Sequence, residues 1–269
     1  MQIYFRTPFF LMNHNSHFLY SISNESNQFN RKKLSTTGRW GLLLVFFTFG
    51  FSQWAEVDVR DSFTSTDIKT FVESTTFGLS PNPSLISFSK KRVYVGVGLS
   101  NNIFLNPSIY QNQLSGWVPK FSADIFITNN LYFMGRLSQF YSGKDIVQSH
   151  NYGIALVSGG YSTYPWQTSV VFCSLKGPQD FALRDISLSM ATLVQVADHQ
   201  IQVGVGKEMY SARFFFEDAN ILFPNGMKGE INYILLGMHL NRNSIRITPQ
   251  IRFNPGLIKA SIRMAWGIG

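Results

Sequence analysis

Two segments near the carboxyl end of this 269-residue chain alternate without a break. In Ser244 to Asn254, residues Ile245, Ile247, Pro249, Ile251 and Phe253 fall on one side, and Arg246, Thr248, Gln250, Arg252 and Asn254 on the other. After the turn at Asn254-Pro255-Gly256, Ile258, Ala260, Ile262, Met264, Trp266 and Ile268 share a face, opposite Lys259, Ser261, Arg263, Ala265 and Gly267. A period of two is the mark of a strand with one apolar and one polar face.

The same rule runs back to residue 92. It gives apolar sets at Val93, Val95, Val97 and Leu99; at Phe121, Ala123, Ile125 and Ile127; and at Leu131, Phe133 and Leu137. Tyr152, Ile154 and Leu156 follow, then Trp166, Thr168, Val170 and Phe172, then Ile186, Leu188, Met190, Val194 and Val196, then Ile201, Val203 and Val205. With the blurred stretch Gly229 to Asn241, this predicts ten strands. Short connections at Asn129-Asn130, Tyr164-Pro165, Ala197-Asp198 and Arg242-Asn243 alternate with longer ones near 105–117, 143–149, 177–183 and 217–228. Up-and-down barrels place alternate connections at one rim, with short turns on the periplasmic side of an outer membrane and long loops outside. The exception is Asn254-Pro255-Gly256, a short turn at the long-loop rim.

Composition fits a barrel wall. Charged residues make up 14% and aromatic residues 15%, and the mean hydropathy is +0.00, too polar for a helical membrane bundle yet poor in charge for a soluble domain. Strands that turn alternate residues to lipid and to a polar interior average to such a value. The net charge of +8 is misleading: residues 1–52 hold five of the 23 basic and one of the 15 acidic residues, which leaves 18 against 14. That surplus is too dilute for a phosphate-binding surface, so nucleic acid is not expected as a partner. The one cysteine, Cys173, can form no intramolecular disulfide and reads as a packed strand residue.

From Arg92 to Gly269, and best in the last strand, the chain resembles bacterial outer-membrane β-barrel proteins. The resemblance implies an all-β fold, an antiparallel up-and-down transmembrane barrel of about ten strands, in the outer membrane of a Gram-negative-type bacterium. It also implies outer-membrane lipid and the barrel-assembly machinery as partners. Such barrels end on an aromatic residue that this machinery recognises; here the end reads Trp266-Gly267-Ile268-Gly269, with Trp266 standing in. Aromatic girdles are expected from Tyr132, Tyr164, Trp166 and Trp266 at one rim, and from Trp117, Phe121, Tyr152, Tyr210 and Phe214 at the other.

The expected organisation is a leader over residues 1–52, a periplasmic segment or lumen plug over 53–91, and a barrel over 92–269. Lys32, Lys33 and Arg39 precede the apolar run Trp40 to Phe51, a signal-peptide layout with cleavage after Ser52 or Ala55. Twelve residues are too few for a membrane helix, which needs about 20. The upstream extension from Met1 fits a displaced start. In the linking segment, Ser65 to Ser74 suits a short helix, and Pro81-Asn82-Pro83 resembles the hatch of fatty-acid-transport-type barrels, where an Asn-Pro segment tucks into the lumen. A flexible periplasmic tail is the preferred reading of the two.

Closing strand ten on strand one gathers Arg92, Arg246, Arg252, Lys259 and Arg263 into a basic lumen stripe. Two readings follow: attraction of a small anionic solute, or charge pairing with the lumen acids Asp124, Asp185, Glu208 and Glu230. Pairing is favoured, since a narrow barrel is filled by side chains whose charges need partners. No catalytic triad, cofactor motif or metal-ligand spacing is found. His150, His199 and His239 lack a nucleophile motif, although His239 with Ser244 keeps a hydrolase as an alternative. Gly204 and Gly206 in VGVGKE lack the strand-to-helix context of a phosphate loop and read as close-packing glycines. The expected role is thus a narrow pore or carrier for small solutes, or a structural or assembly component, not an enzyme. A secreted soluble barrel with inverted parity, holding an apolar ligand, is the other alternative.

Overall fold

A computed structural model describes residues 65–83, 91–104, 117–142, 145–158, 165–176, 181–197, 199–215, 225–242 and 245–268. These lie in the unit Leu42–Gly269. The leader, its cleavage positions, Tyr164 and Ser244 lie outside the described residues.

Among the described residues one helix, α1 (Ser65–Leu79), precedes ten strands: β1 (Val93–Phe104), β2 (Val118–Phe126), β3 (Leu131–Ser142), β4 (Asp145–Ser158), β5 (Trp166–Lys176), β6 (Phe181–Val196), β7 (His199–Phe214), β8 (Gly226–Arg242), β9 (Ile245–Asn254) and β10 (Leu257–Ile268). Each strand pairs antiparallel with its sequence neighbours, and β1 closes on β10 from Val93↔Ile268 to Phe104↔Leu257. Closure leaves no strand edge, which a wall in lipid requires because hydrocarbon cannot satisfy an open row of amides and carbonyls.

The parity of the wall is unambiguous. Along β6, Phe181, Leu183, Asp185, Ser187, Ser189, Ala191 and Leu193 are buried, while Arg184, Leu188 and Met190 between them are exposed. Outward apolar side chains such as Ile125, Ile154, Leu236, Ile251 and Ile262 are each 45–52% exposed, and Ser149, Asn151, Gln202 and Thr248 are buried within. Apolar outside and polar inside is the transmembrane parity. It overturns the inverted soluble barrel: Ile262 faces out, and Arg252 and Lys259 face in with no exposed surface. Among the described residues no helix is long and apolar enough to cross a membrane; this chain crosses with strands.

The loop pattern differs from expectation. β3 and β4 are separated by residues 143–144 alone, and β5 and β6 by 177–180. The strands continue through Gln148, Ser149 and His150, where both faces are polar and the alternation fades. Two long connections, 105–117 and 215–225, remain on this loop rim. The start of β1 and the end of β10 share the opposite, terminal rim, which by loop length is the periplasmic one. There the β6–β7 hairpin turns at Ala197, whose φ of 51° is left-handed.

The girdles need correction too. Trp117, Phe121, Tyr152 and Trp166 face outward, with Tyr152 stacked on Phe172 at 5.7 Å. Tyr132, Tyr210 and Phe214 instead point into the lumen, 0–5% exposed. An aromatic at a strand end marks the membrane interface only if its parity is outward.

The lumen is filled by α1, so residues 65–83 of the segment that sequence favoured as a periplasmic tail lie inside the barrel. Ile68, Phe71, Val72, Phe77 and Leu79 are 0–1% exposed, and so are Ser74, Thr75, Thr76 and Ser80. Phe71 meets Phe181 edge-on at 5.2 Å, and Phe181 meets Phe214 at 5.4 Å. Both wall residues are strand ends at the loop rim, while Pro83 reaches Gln202 and Gln250 in the terminal half. Fifteen residues of helix cover about 22 Å, so α1 descends from loop rim to mid-lumen. Gly78 makes this seating possible: a Cβ there would fall on the side chain of Asn102, whose amide bonds Ser74 O.

This polarity sets a labelling result. The Lys69 side chain is 62% exposed at the upper end of α1, and Asn129 is exposed in the β2–β3 turn. On a Cys173→Ser background, Lys69→Cys is expected to react with an impermeant maleimide on intact cells. Asn129→Cys is expected to react only after the outer membrane is opened. The reverse pattern would turn the barrel over.

Candidate functional site

The charged layer of the lumen lies where α1 ends. An α-helix leaves its last carbonyls unpaired and carries partial negative charge at that end. Here the wall supplies the donors. Lys259 Nζ bonds Phe77 O at 3.0 Å and Ser80 O at 2.5 Å; Lys120 Nζ bonds Gly78 O at 3.1 Å and reaches Leu79 O and Ser80 O at 3.4 Å. Asn151 Nδ2 donates to Leu79 O at 3.2 Å, and its Oδ1 accepts from Cys173 Sγ at 2.6 Å. Cys173 is thus a buried, hydrogen-bonded thiol.

Arg252 is the node of this layer. Its guanidinium lies 3.6 Å from the centre of the Tyr233 ring and 4.9 Å from that of Phe77. Nη1 donates to Ser80 Oγ at 2.7 Å, and Nη2 pairs with Glu208, both side chains being fully buried. Glu208 also accepts from Ser187 Oγ. The Tyr233 ring covers Gly206 across the β7–β8 pair, so a side chain at 206 would collide with it. The glycine read as a packing residue is one.

Below this, Asp124 holds two cations: Arg136 Nη1 and Arg263 Nη2 each lie 2.5 Å from one of its oxygens. Arg263 Nε also donates to Ser122 Oγ. Arg246 sits 5.8 Å from the centre of the Tyr94 ring and bonds Asn241 Oδ1. Around Pro83 O, Gln202 and Gln250 donate, and Gln202 Oε1 also meets His239 Nε2 at 3.2 Å.

The structure places Arg246, Arg252, Lys259 and Arg263 on the lumen side, with the charges of the last three spent in two ways. Arg252 and Arg263 pair with lumen acids, while Lys259 caps the helix end. Arg92 is not part of it: it precedes β1 at the terminal rim and is exposed. Of the acids, Asp124, Asp185 and Glu208 are buried in the lumen. Glu230 is not. It faces outward and pairs with Lys207 at 2.5 Å, their side chains 58% and 38% exposed, because even-numbered residues of β8 point away from the lumen. Sequence reading missed Lys120 and Arg136, which lie on β2 and β3, far in the chain from the β9–β10 stripe. Their inward parity, opposite Phe121 and Leu137, was the available signal.

No family model matches the sequence, and no curated protein matches it. Among solved structures it is similar to a loop-deletion form of OmpT, an outer membrane protein of Vibrio cholerae, at 10% identity and TM-score 0.32, over 56% of this chain and 53% of that one. The chain thus spans about half the length of that protein. It is similar also to the translocator domain of autotransporter NalP from Neisseria meningitidis, at 8% identity and TM-score 0.40, over 76% and 96% of the two chains. Ail, the attachment invasion locus protein of Yersinia pestis, gives 8% identity and TM-score 0.25, over 66% and 95%. The barrel's own wall, closed and apolar outside with a polar lumen, is the outer-membrane architecture.

Proposed function

We propose that this protein is a closed outer-membrane barrel, stoppered by its own α1, that serves the envelope as a structural or assembly component rather than as an open pore or an enzyme. Occupation of the lumen by α1 supports this reading. A ten-strand barrel has little room beyond its own side chains, and the helix takes that room with an apolar upper half and a hydrogen-bonded lower end. Lipid around the apolar wall and the assembly machinery are the partners it requires. A second reading, a gated carrier for small solutes, is favoured by the polar nature of the contacts at Ser80 to Pro83, which exchange with water more readily than apolar packing. Planar-bilayer recording separates open from closed: the purified chain is expected to give no steady conductance, and regular openings at low voltage would sink the closed-barrel reading.

A further inference from the structure

Between the tail of α1 and the wall lies a cavity of about 40 Å³, lined by Pro81 and Asn82 from the plug and by Lys120, Arg136, Lys259 and Arg263 from β2, β3 and β10. Four cationic side chains border it, and no carboxylate does. Asp124 holds Arg136 and Arg263 from beside the cavity and offsets one charge. Lys120 and Lys259 converge on a single acceptor, Ser80 O, at 3.4 and 2.5 Å. Two amines on one carbonyl can both hold a proton only against strong repulsion inside a low-dielectric lumen, and the helix end contributes only about half a negative charge. Arg136 is 7% exposed, and its Nη2 is buried with no hydrogen-bond partner among the described residues.

We propose that this cavity binds one small monovalent anion of halide size. The charge surplus calls for a negative ligand, and the volume, above the roughly 10–15 Å³ that a single water needs, admits a small ion. Arg136 Nη2 supplies a donor that the protein itself leaves unused, and the two lysines supply charge. The ion lowers the repulsion between them and so helps to hold the tail of α1 in place. This site is independent of whether the barrel is a structural component or a carrier.

The test uses the full purified chain in detergent. The chloride-35 resonance is expected to broaden saturably with added protein, and bromide is expected to compete. Arg136→Gln is expected to weaken halide binding about tenfold or more, the value of one charge-assisted hydrogen bond, while Arg136→Lys recovers part of it. No broadening beyond a detergent control would overturn the proposal, and so would unchanged broadening in a folded Arg136→Gln chain. Should that variant fail to fold, crystals of the unaltered protein grown in bromide decide: an anomalous peak in the cavity supports the site, and its absence there refutes it.

Discussion

Replacing Arg252 by alanine is expected to destabilise the folded barrel by about 3–5 kcal/mol, the largest loss of any single lumen substitution, because it leaves a buried carboxylate without its partner. Glu208 is 0% exposed and, once the guanidinium is gone, is left among the described residues with Ser187 Oγ as a donor and the Asp185 carboxyl beside it. The rings of Phe77 and Tyr233 lose the cation they enclose, and the Ser80 hydroxyl loses its bond to the wall. Urea titration, read from the gel mobility of the folded barrel, measures the loss. Arg252→Met with Glu208→Gln is expected to recover much of it, since a neutral pair of similar volume carries no stranded charge. If the double variant were as weak as Arg252→Ala, the loss would come from packing rather than from charge. Arg246→Ala, which breaks a bond to Asn241 at the terminal rim, is expected to stay within about 1 kcal/mol.

The wall was legible in sequence because lipid outside and a filled lumen inside impose opposite polarity on successive residues. Ile245 to Asn254 and Leu257 to Ile268 show it directly, and those strands stand where the alternation puts them. The signal failed where that contrast ends. Past the apolar band, Gln148, Ser149 and His150 are polar on both faces, so a continuing strand looked like a loop. On β8, the outward polar run Lys228, Glu230 and Asn232 hid the parity and sent Glu230 to the wrong side.

The plug was harder to read for a different reason. A helix on a protein surface shows one apolar stripe, whereas α1 is surrounded by wall. It buries Ser74, Thr75 and Thr76 as completely as Ile68 and Phe71, and two of those hydroxyls are satisfied within the helix itself, Ser74 Oγ by Phe71 O and Thr76 Oγ1 by Val72 O. Small polar residues that return their hydrogen bonds to the backbone can fill a narrow lumen, yet in sequence they resemble a solvated linker. The lumen stripe was found because β9 and β10 are adjacent in the chain. Its function as a helix cap was out of reach without knowing that a helix ends beside it.

Removing Lys120 and Lys259 together is expected to unseat α1 and turn a silent barrel into a conducting one. The two lysines provide donors to the carbonyls of residues 77 to 80, of which only Leu79 O has another wall donor, Asn151. Each buried carbonyl left unpaired costs about 1–3 kcal/mol, and two would be stranded, those of Gly78 and Ser80, since Phe77 O keeps the Ser80 hydroxyl, a sum comparable to the docking of a single short helix. The wall does not share this dependence, because its strands are held by ladders that neither lysine enters with its side chain. The Lys120→Ala, Lys259→Ala chain should therefore keep the gel mobility of a folded barrel while showing frequent openings in planar bilayers. Phe133→Ala, a change on the lipid face where the side chain is 40% exposed, should leave the barrel silent. Silence of the double variant as well would assign retention of the plug to its apolar upper half, around Phe71, Phe181 and Phe214.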